Sequence, residues 1–440
     1  MFRYIEVQVK SVSETVLRPA RHVQGSVALP GDKSISHRYA MLAGLAEGPS
    51  RLANFSTGAD CASTLGCLQA LGVKWSRKDG SENLIEVQGT NLSLTAPSQA
   101  LDCGNSGSTI RMMSGILTAQ PFVSELTGDE SLSRRPMERV ITPLTKMGAK
   151  IEAQNGRPPL RITGGQLNAI DYAVPVASAQ VKTCLLFAGL LAMGETRVTE
   201  PVRTRDHGEL ALRAFGASVD AKGNQVRIRG GQRLRGIDAR IPGDLSSAAF
   251  FLCAAALFPG SQLTIAGLLM NPTRARLLDI LMQMGLKISV TELEELNGEL
   301  VGTLQVEGAR LKSATIAGSD SAALIDEIPV LAAIAPYTEE GIEIRDAKEL
   351  RVKESDRIAA IATNLRAMGA ELAEREDGLK IPGRQSLHGA EIDSFADHRI
   401  AMAFSIAALR AHGDTLIRGS ECAAISYPAF FSTLEQVVRR

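Results

Sequence analysis

Arg351-Val352-Lys353-Glu354-Ser355-Asp356-Arg357 gathers three cationic side chains and two carboxylates just ahead of a predicted helix. Such a cluster can hold an anion and move a proton. Taken alone, a charge run at a helix start reads as a solvated, capped face, with Ser355 as the N-cap and Asp356 favouring the positive end of the helix dipole. The other unusual residues of the chain argue for more than that.

Five further helix starts carry polar groups that an apolar core helix does not need: Lys33-Ser34-Ile35-Ser36-His37-Arg38, Asn105 to Arg111, Ser178-Ala179-Gln180-Val181-Lys182, Asp244-Leu245-Ser246-Ser247 and Asp397-His398-Arg399. Asp244 with its serines reads as capping alone. Elsewhere the positive charges conflict with helix chemistry. A cation at a helix N-terminus opposes the dipole, so Lys33, Arg38, Arg111 and Arg399 each cost stability unless an anion lies between them and the exposed N–H groups. Arg134-Arg135-Pro136 and Thr204-Arg205-Asp206-His207 open two more predicted helices in the same manner. If these starts face one cleft, it binds at least two anionic groups.

Asp326-Glu327 sits within an otherwise apolar run, Ala322 to Leu331, read as a helix. Adjacent carboxylates there are costly unless paired or employed. Burial and a second carboxylate would raise the pKa of one of them, the usual way to make a base that works near neutral pH, with Glu354 as its counterpart. The histidines lack metal-ligand spacing, and His37, His207 and His398 read as structural or supporting residues.

The elements that must position these side chains come from repetition. Leu68-Gln69-Ala70-Leu71-Gly72-Val73 recurs in form at Leu144 to Ala149, Leu212 to Ala217, Leu281 to Leu286 and Leu365 to Ala370. Each copy reads as a helix end, a glycine C-terminal cap and a strand. A second phrase, an Ala/Leu-rich helix ending at glycine and continuing as a strand, recurs at Gly48, Gly194, Gly260, Gly341 and Gly413, with a sixth copy near Gln120-Pro121 that lacks the glycine. The chain therefore reads as α/β, in six units of about seventy residues. The last unit runs out of chain near Val437, and the N-terminal segment, whose first residues Met1 to Val7 alternate like a strand, is expected to complete it. Three units per domain gives a domain of residues 31–242 and a discontinuous one of 1–30 plus 243–440. The expected hinge crossings, near 29–32 and 241–244, both contain Pro-Gly-Asp.

The 440 residues are 45% hydrophobic, enough for large cores, and Lys+Arg and Asp+Glu both count 48. Zero formal charge gives no long-range attraction to nucleic acid or acidic membranes. The longest apolar stretch, Ala248 to Phe258, is too short to span a bilayer. Six cysteines without a C-x-x-C pair suit reduced core thiols. These readings predict a cytoplasmic protein with no metal site.

Several segments, in this order, resemble the 5-enolpyruvylshikimate-3-phosphate synthase family: Pro30 to Arg38, Gly104 to Arg111, Arg135-Pro136-Met137, Ser178 to Lys182, Asp326-Glu327, Arg351 to Arg357, Asp397 to Met402 and Ser426-Tyr427-Pro428. The resemblance runs end to end. It implies the two-domain enolpyruvyl transferase fold, an inside-out α/β barrel of six βαβαββ units with three per domain. It implies transfer of the carboxyvinyl group of phosphoenolpyruvate to the 5-hydroxyl of shikimate 3-phosphate, in the pathway to chorismate and aromatic amino acids, by a monomer without cofactor. In this chemistry C3 of phosphoenolpyruvate gains a proton and the hydroxyl attacks C2. Phosphate then leaves as C3 loses a proton.

Carried over residue by residue, the resemblance implies that shikimate 3-phosphate meets Ser34, Arg38, Ser178, Ala179, Gln180, Arg205, Asp326 and Lys353, with Ser178 and Arg205 on its phosphate. Phosphoenolpyruvate would meet Lys33, Gly107, Arg135, Gln180, Arg357 and Arg399. Glu354 would exchange the proton at C3, Asp326 accept the hydroxyl proton, and Lys33 serve the phosphate side. The retained Gly107 implies that glyphosate fits the phosphoenolpyruvate position.

Three departures stand out from the common family pattern: Ser106-Gly107-Ser108 after Asn105 in place of Ala-Gly-Thr, Met112 in place of proline, and Ile425 in place of a lysine that adds a phosphate contact in many members. A sister family transfers the same group to UDP-N-acetylglucosamine and usually carries a loop cysteine, which Thr127 to Arg135 lacks. A non-catalytic sensor of anionic metabolites would keep the arginines but not need Lys33, Asp326 and Glu354.

Overall fold

All the glycines of the two repeated phrases close turns. Gly72, Gly148, Gly216, Gly285 and Gly369 have φ between 86° and 107°, and Gly48, Gly194, Gly260, Gly341 and Gly413 between 84° and 100°. That left-handed region is strained for an L side chain, so the same residue recurs wherever a helix must stop and a strand begin. The computed structural model describes residues 13–78 and 83–440, and the predicted strand Met1 to Val7 lies outside them.

The strands among the described residues form six sheets. In a typical one, Leu101–Asp102 runs parallel to Val123–Thr127, which pairs antiparallel with Arg157–Thr163, itself antiparallel to Lys150–Gln154. The parallel pair is joined through the helix Gly107–Leu117, and the second helix, Glu138–Lys146, precedes the closing hairpin. Sheets of the same order are built around Pro49–Ala53, Glu195–Thr199 and Gly341–Ile344. The other two sheets join the N-terminal segment to the C-terminal half of the chain. Glu14–Leu17 pairs antiparallel with Thr415–Arg418, and His22–Val27 lies between Gln262–Leu269 and Val438–Arg439.

The first helix of a unit is buried all round rather than on one stripe. Every residue of Leu245–Ala256 and of His398–Ala408 is buried, as is Ile35 to Leu45 within Lys33–Leu45. Such helices form the inside while the strands, alternating buried and exposed, form the outside. One core comprises buried residues between Ile35 and Ile241 with Leu269, and the other comprises Leu17 to Leu29 with Leu245 to Val438. All six cysteines are buried and unpaired. No helix among the described residues is long and apolar enough to cross a membrane.

Between the two cores the Pro-Gly-Asp copies lie against each other. Asp32 N donates to Pro242 O at 2.8 Å, Asp244 N donates to Pro30 O at 3.0 Å, and Gly31 bridges Gly243. A Cβ on Gly31 would stand 1.8 Å from the carbonyl oxygen of Asn54, so only glycine fits this crossing.

Candidate active site

Short polar residues cap the helices that carry the candidate side chains. Asp32 accepts from Ile35 N, Ser106 from Thr109 N, Ser178 from Val181 N and Asp397 from Arg399 N. Each cap satisfies one of the first N–H groups internally, leaving the neighbouring cations as the main unspent positive charge.

The opening charge run differs from its reading in one respect. Asp356, not Ser355, caps the helix Arg357–Ala367, accepting from Ala359 N at 3.0 Å. Arg351 Nη1 holds that carboxylate in place at 2.9 Å, while Ser355 Oγ turns to Asp397 Oδ2 at 3.0 Å. Asp326 and Glu327 also lie elsewhere than expected, in the turn between the helices Ser319–Ala323 and Ile328–Ile334. Pro329 lacks an N–H and suits only a first helical turn, so the helix begins after the carboxylates rather than running through them.

Asp326 lies among four cations. Arg205 Nη2 reaches its Oδ2 at 2.8 Å, and Oδ1 stands 3.8 Å from Lys353 Nζ, 3.7 Å from Arg357 Nη1 and 4.0 Å from Arg399 Nε. Its carbonyl oxygen accepts from Arg399 Nη1 at 2.6 Å. Glu354 Oε2 accepts from Arg357 Nη2 at 2.7 Å, and Oε1 lies 3.6 Å from Arg135 Nη1. Arg357 is buried and clamped by Asp397, through Nε at 2.8 Å and Nη2 at 3.2 Å. Lys33, the first residue of its helix, pairs with Asp60 at 2.9 Å.

Burial acts to raise both central carboxyls, yet both lie well below the ordinary carboxylate range. Around Asp326 the cations Arg399, Lys353, Arg205 and Arg357 outweigh it, and around Glu354 Arg357 and Arg135 do so. The expected upward shift is therefore reversed, because positive charge from separate units surrounds each group. Burial likewise lowers Lys353, which Asp326 only partly offsets. For Lys33 burial is outweighed by Asp60, and the net shift is upward.

A second group of candidates lies between two helix starts. Arg38 donates to Thr183 Oγ1 through Nε at 3.2 Å and Nη2 at 2.9 Å, to Ala179 O at 3.4 Å and to Ser34 O at 2.8 Å. Burial pulls its guanidinium down to about 10. Gln180 accepts from Arg111 Nη1 at 2.8 Å and donates to Ser108 Oγ at 2.9 Å. Gly107 begins its helix directly beneath Arg111 and Arg135: a Cβ there would stand 2.8 Å and 3.2 Å from their Nη1 atoms.

The family model for EPSP synthase (3-phosphoshikimate 1-carboxyvinyltransferase) matches residues 17–434. The chain belongs to the EPSP synthase family. It is 61% identical over 424 residues to the 3-phosphoshikimate 1-carboxyvinyltransferase of Koribacter versatilis (strain Ellin345), covering 96% of this chain and 99% of the relative. To the protein of that name from Solibacter usitatus (strain Ellin6076) it is 56% identical, again over 96% and 99%. The EPSP synthase structure from Acinetobacter baumannii superposes with a TM-score of 0.86 at 40% identity, covering 97% of this chain and 98% of that one. The chain thus has the two-domain enolpyruvyl transferase fold of the EPSP synthases.

Within this EPSP synthase framework several neighbours of the candidates escaped sequence reasoning. Asp60 lies 27 positions from the Lys33 it pairs with, and nothing local marks it. Arg111 stood out only as a misplaced cation, whereas its contact with Gln180 puts it among the candidates. Burial drives the His398 imidazole to about 3, so it is neutral, and neither ring nitrogen has a hydrogen-bond partner among the described residues.

Proposed function

We propose that the cleft around Asp326 and Glu354 is where this enzyme transfers the carboxyvinyl group of phosphoenolpyruvate to the 5-hydroxyl of shikimate 3-phosphate. One observation carries the placement: Arg357 lies between the two carboxylates, 3.7 Å from Asp326 and 2.7 Å from Glu354. An anionic substrate held on that guanidinium has a carboxylate on either side of it. Addition and elimination at one carbon skeleton need such a pair.

In the proposed division of labour, Lys33, Arg135, Arg357 and Arg399 hold phosphoenolpyruvate, with Gly107 close to its phosphate and Gln180 shared. Arg guanidinium forks suit carboxylate and phosphate oxygens. Ser34, Arg38, Ser178, Ala179, Gln180, Arg205 and Lys353 take shikimate 3-phosphate. Asp326 accepts the proton of the 5-hydroxyl as oxygen attacks C2. Glu354 gives a proton to C3 in the addition and removes one in the elimination, while Lys33 stabilises the departing phosphate.

Glu354 must be protonated to act first, although its cations hold it ionised. Phosphoenolpyruvate neutralises those same cations on arrival, so substrate binding itself lifts Glu354 toward its proton-bearing state.

The domain division at 31–242 against 1–30 plus 243–440 belongs to the same reading, with the paired Pro-Gly-Asp segments as a two-stranded hinge. The two separate cores support it. The same reading takes the enzyme as a monomer, checked by sedimentation. A biosynthetic use of phosphoenolpyruvate favours the cytoplasm.

The test is release of inorganic phosphate from phosphoenolpyruvate plus shikimate 3-phosphate, with UDP-N-acetylglucosamine as the control acceptor. Release with the first acceptor alone is expected. Full turnover by Glu354→Ala would remove Glu354 from the mechanism.

A further inference from the structure

We propose that the turn Asn271-Pro272-Thr273-Arg274 is a positioning crosspiece that keeps Lys33, Arg205 and Asp326 in register across the two halves of the molecule. It does so by gripping the chain neighbour of each. The inference rests on the cleft being the reaction site.

The turn leaves the strand Gln262–Leu269 and enters the helix Arg276–Gln283, so it is anchored in the second core. Asn271 Oδ1 closes it by accepting from Thr273 N at 2.8 Å and Thr273 Oγ1 at 2.6 Å. Its Nδ2 then donates to Asp206 Oδ1 at 2.8 Å and to Glu299 Oε2 at 2.7 Å. Asp206 is the residue after Arg205 and belongs to the opposite half.

Arg274 spreads its fork in two directions. Nη1 stands 3.7 Å from Asp32 Oδ2, and Asp32 caps the helix whose first residue is Lys33. Nη2 donates to Ser246 Oγ at 2.6 Å and lies 3.6 Å from Glu327 Oε1, and the Ser246 hydroxyl in turn donates to Glu327. Glu327 is the residue after Asp326. Asn271 and Arg274 are only 2% and 4% exposed, so these contacts are shielded from solvent and little weakened by salt.

A scaffold alone does not call for this arrangement, since buried ion pairs are often replaced by apolar packing without loss of stability. What a rigid guanidinium adds is geometry: it joins two carboxylates from different elements at fixed angles, which a lysine ammonium cannot do. Displacing a reacting group by about 1 Å can cost roughly a hundredfold in rate. Residues that touch no substrate can therefore govern turnover through their neighbours.

Arg274→Lys keeps the charge and loses the fork, while Ser246→Ala removes the linking hydroxyl and keeps both charged partners. In full-length enzyme, Arg274→Lys is expected to lower kcat by about tenfold or more, with KM for each substrate shifting less than about threefold. Ser246→Ala should lower kcat by about threefold. The double variant should be no slower than Arg274→Lys, because both changes cut one chain of contacts. Ile381→Ala, in the strand Gly378–Pro382, supplies a control that loses stability with kcat intact.

Wild-type kcat and KM in both folded variants would overturn the crosspiece, as would an equal loss of kcat in Ile381→Ala at the same drop in melting temperature. A wild-type enzyme that releases no phosphate from the two substrates would instead overturn the reaction reading on which the crosspiece rests.

Discussion

Two buried ionic clusters in this molecule are built to opposite balances. In one, Lys182 Nζ lies 2.8 Å from both Glu200 and Glu209, and all three side chains are nearly inaccessible. Glu200 also takes the backbone N–H of Thr204 at 3.3 Å and its hydroxyl, so a single cation ties the helix Ala179–Leu191 to the segment before Arg205. In the other cluster Arg135, Arg205, Lys353, Arg357 and Arg399 surround Asp326 and Glu354, and Asp397 on Arg357, Glu327 near Arg399 and Asp60 on Lys33 offset only part of the positive charge. The buried groups left without a hydrogen bond differ accordingly. Near Lys182 it is an acceptor, Glu209 Oε2, whereas around Asp326 and Glu354 the donors Arg135 Nε and Arg357 Nη1 remain, with one acceptor, Asp60 Oδ1, beside Lys33. A cluster that closes on itself supports structure, while one with surplus donors is arranged for an anion that arrives from outside.

Substitution in each cluster should separate the two roles. Glu354→Gln keeps the shape and one acceptor but cannot exchange a proton, so kcat is expected to fall by roughly 10²–10⁴, while a cooperative thermal transition persists at a somewhat lower temperature near neutral pH. Steady-state phosphate release alongside a melt checks it, and a variant that unfolds while its folded fraction turns over normally would break the contrast. Lys182→Met leaves two buried carboxylates unpaired and should cost about 3–5 kcal/mol of stability, measured by urea unfolding. Its folded fraction should keep kcat within a few fold. A large loss of kcat without loss of stability would move Lys182 into the cleft's chemistry.

What was legible in the sequence follows the same divide. Features that conflict with local rules could be seen: cations at helix starts, carboxylates in an apolar run, glycine at each repeated turn. Their structural basis is local backbone geometry, and the positive φ of all those glycines shows it. Partners supplied across the fold could not be seen. Asp60 and Asn271 obey every local rule, and only the packing of separate units brings them to Lys33 and Asp206. The pKa direction of Asp326 failed for that reason. Its apolar neighbours in sequence suggested an upward shift, but the charges that decide it come from Arg205, Lys353, Arg357 and Arg399.

The depressed carboxyls give the contrast a pH signature. Folded Asp326 and Glu354 lie below their ordinary values of 3.8 and 4.5, so the stability they contribute is complete above about 4.5 and is lost as pH falls through the lower folded values. Melting temperature against pH should therefore hold level down to that point for this contribution and fall in acid, and Glu354→Gln should flatten the acid limb. Substrate binding should also draw a proton from solution, seen as a binding enthalpy that varies with the ionisation enthalpy of the buffer. Binding enthalpies independent of buffer would mean that Glu354 is not raised by phosphoenolpyruvate.

The smallest change probes how closely the surplus donors are set. In Gly107→Ala the added methyl would stand 2.8 Å from Arg111 Nη1 and 3.2 Å from Arg135 Nη1, both far ends of flexible side chains that can yield by a few tenths of an ångström. The backbone of the helix need not move, and Asp326 and Glu354 are untouched. The expected result is a rise in KM for phosphoenolpyruvate of about fivefold, about 1 kcal/mol, with kcat nearly unchanged. Glyphosate should compete with phosphoenolpyruvate in the wild type and lose affinity in the variant, measured by competition titration. Absence of competition in the wild type would remove glyphosate from this position, and a fall in kcat with unchanged KM would show that Gly107 serves the reacting carbons rather than the anion.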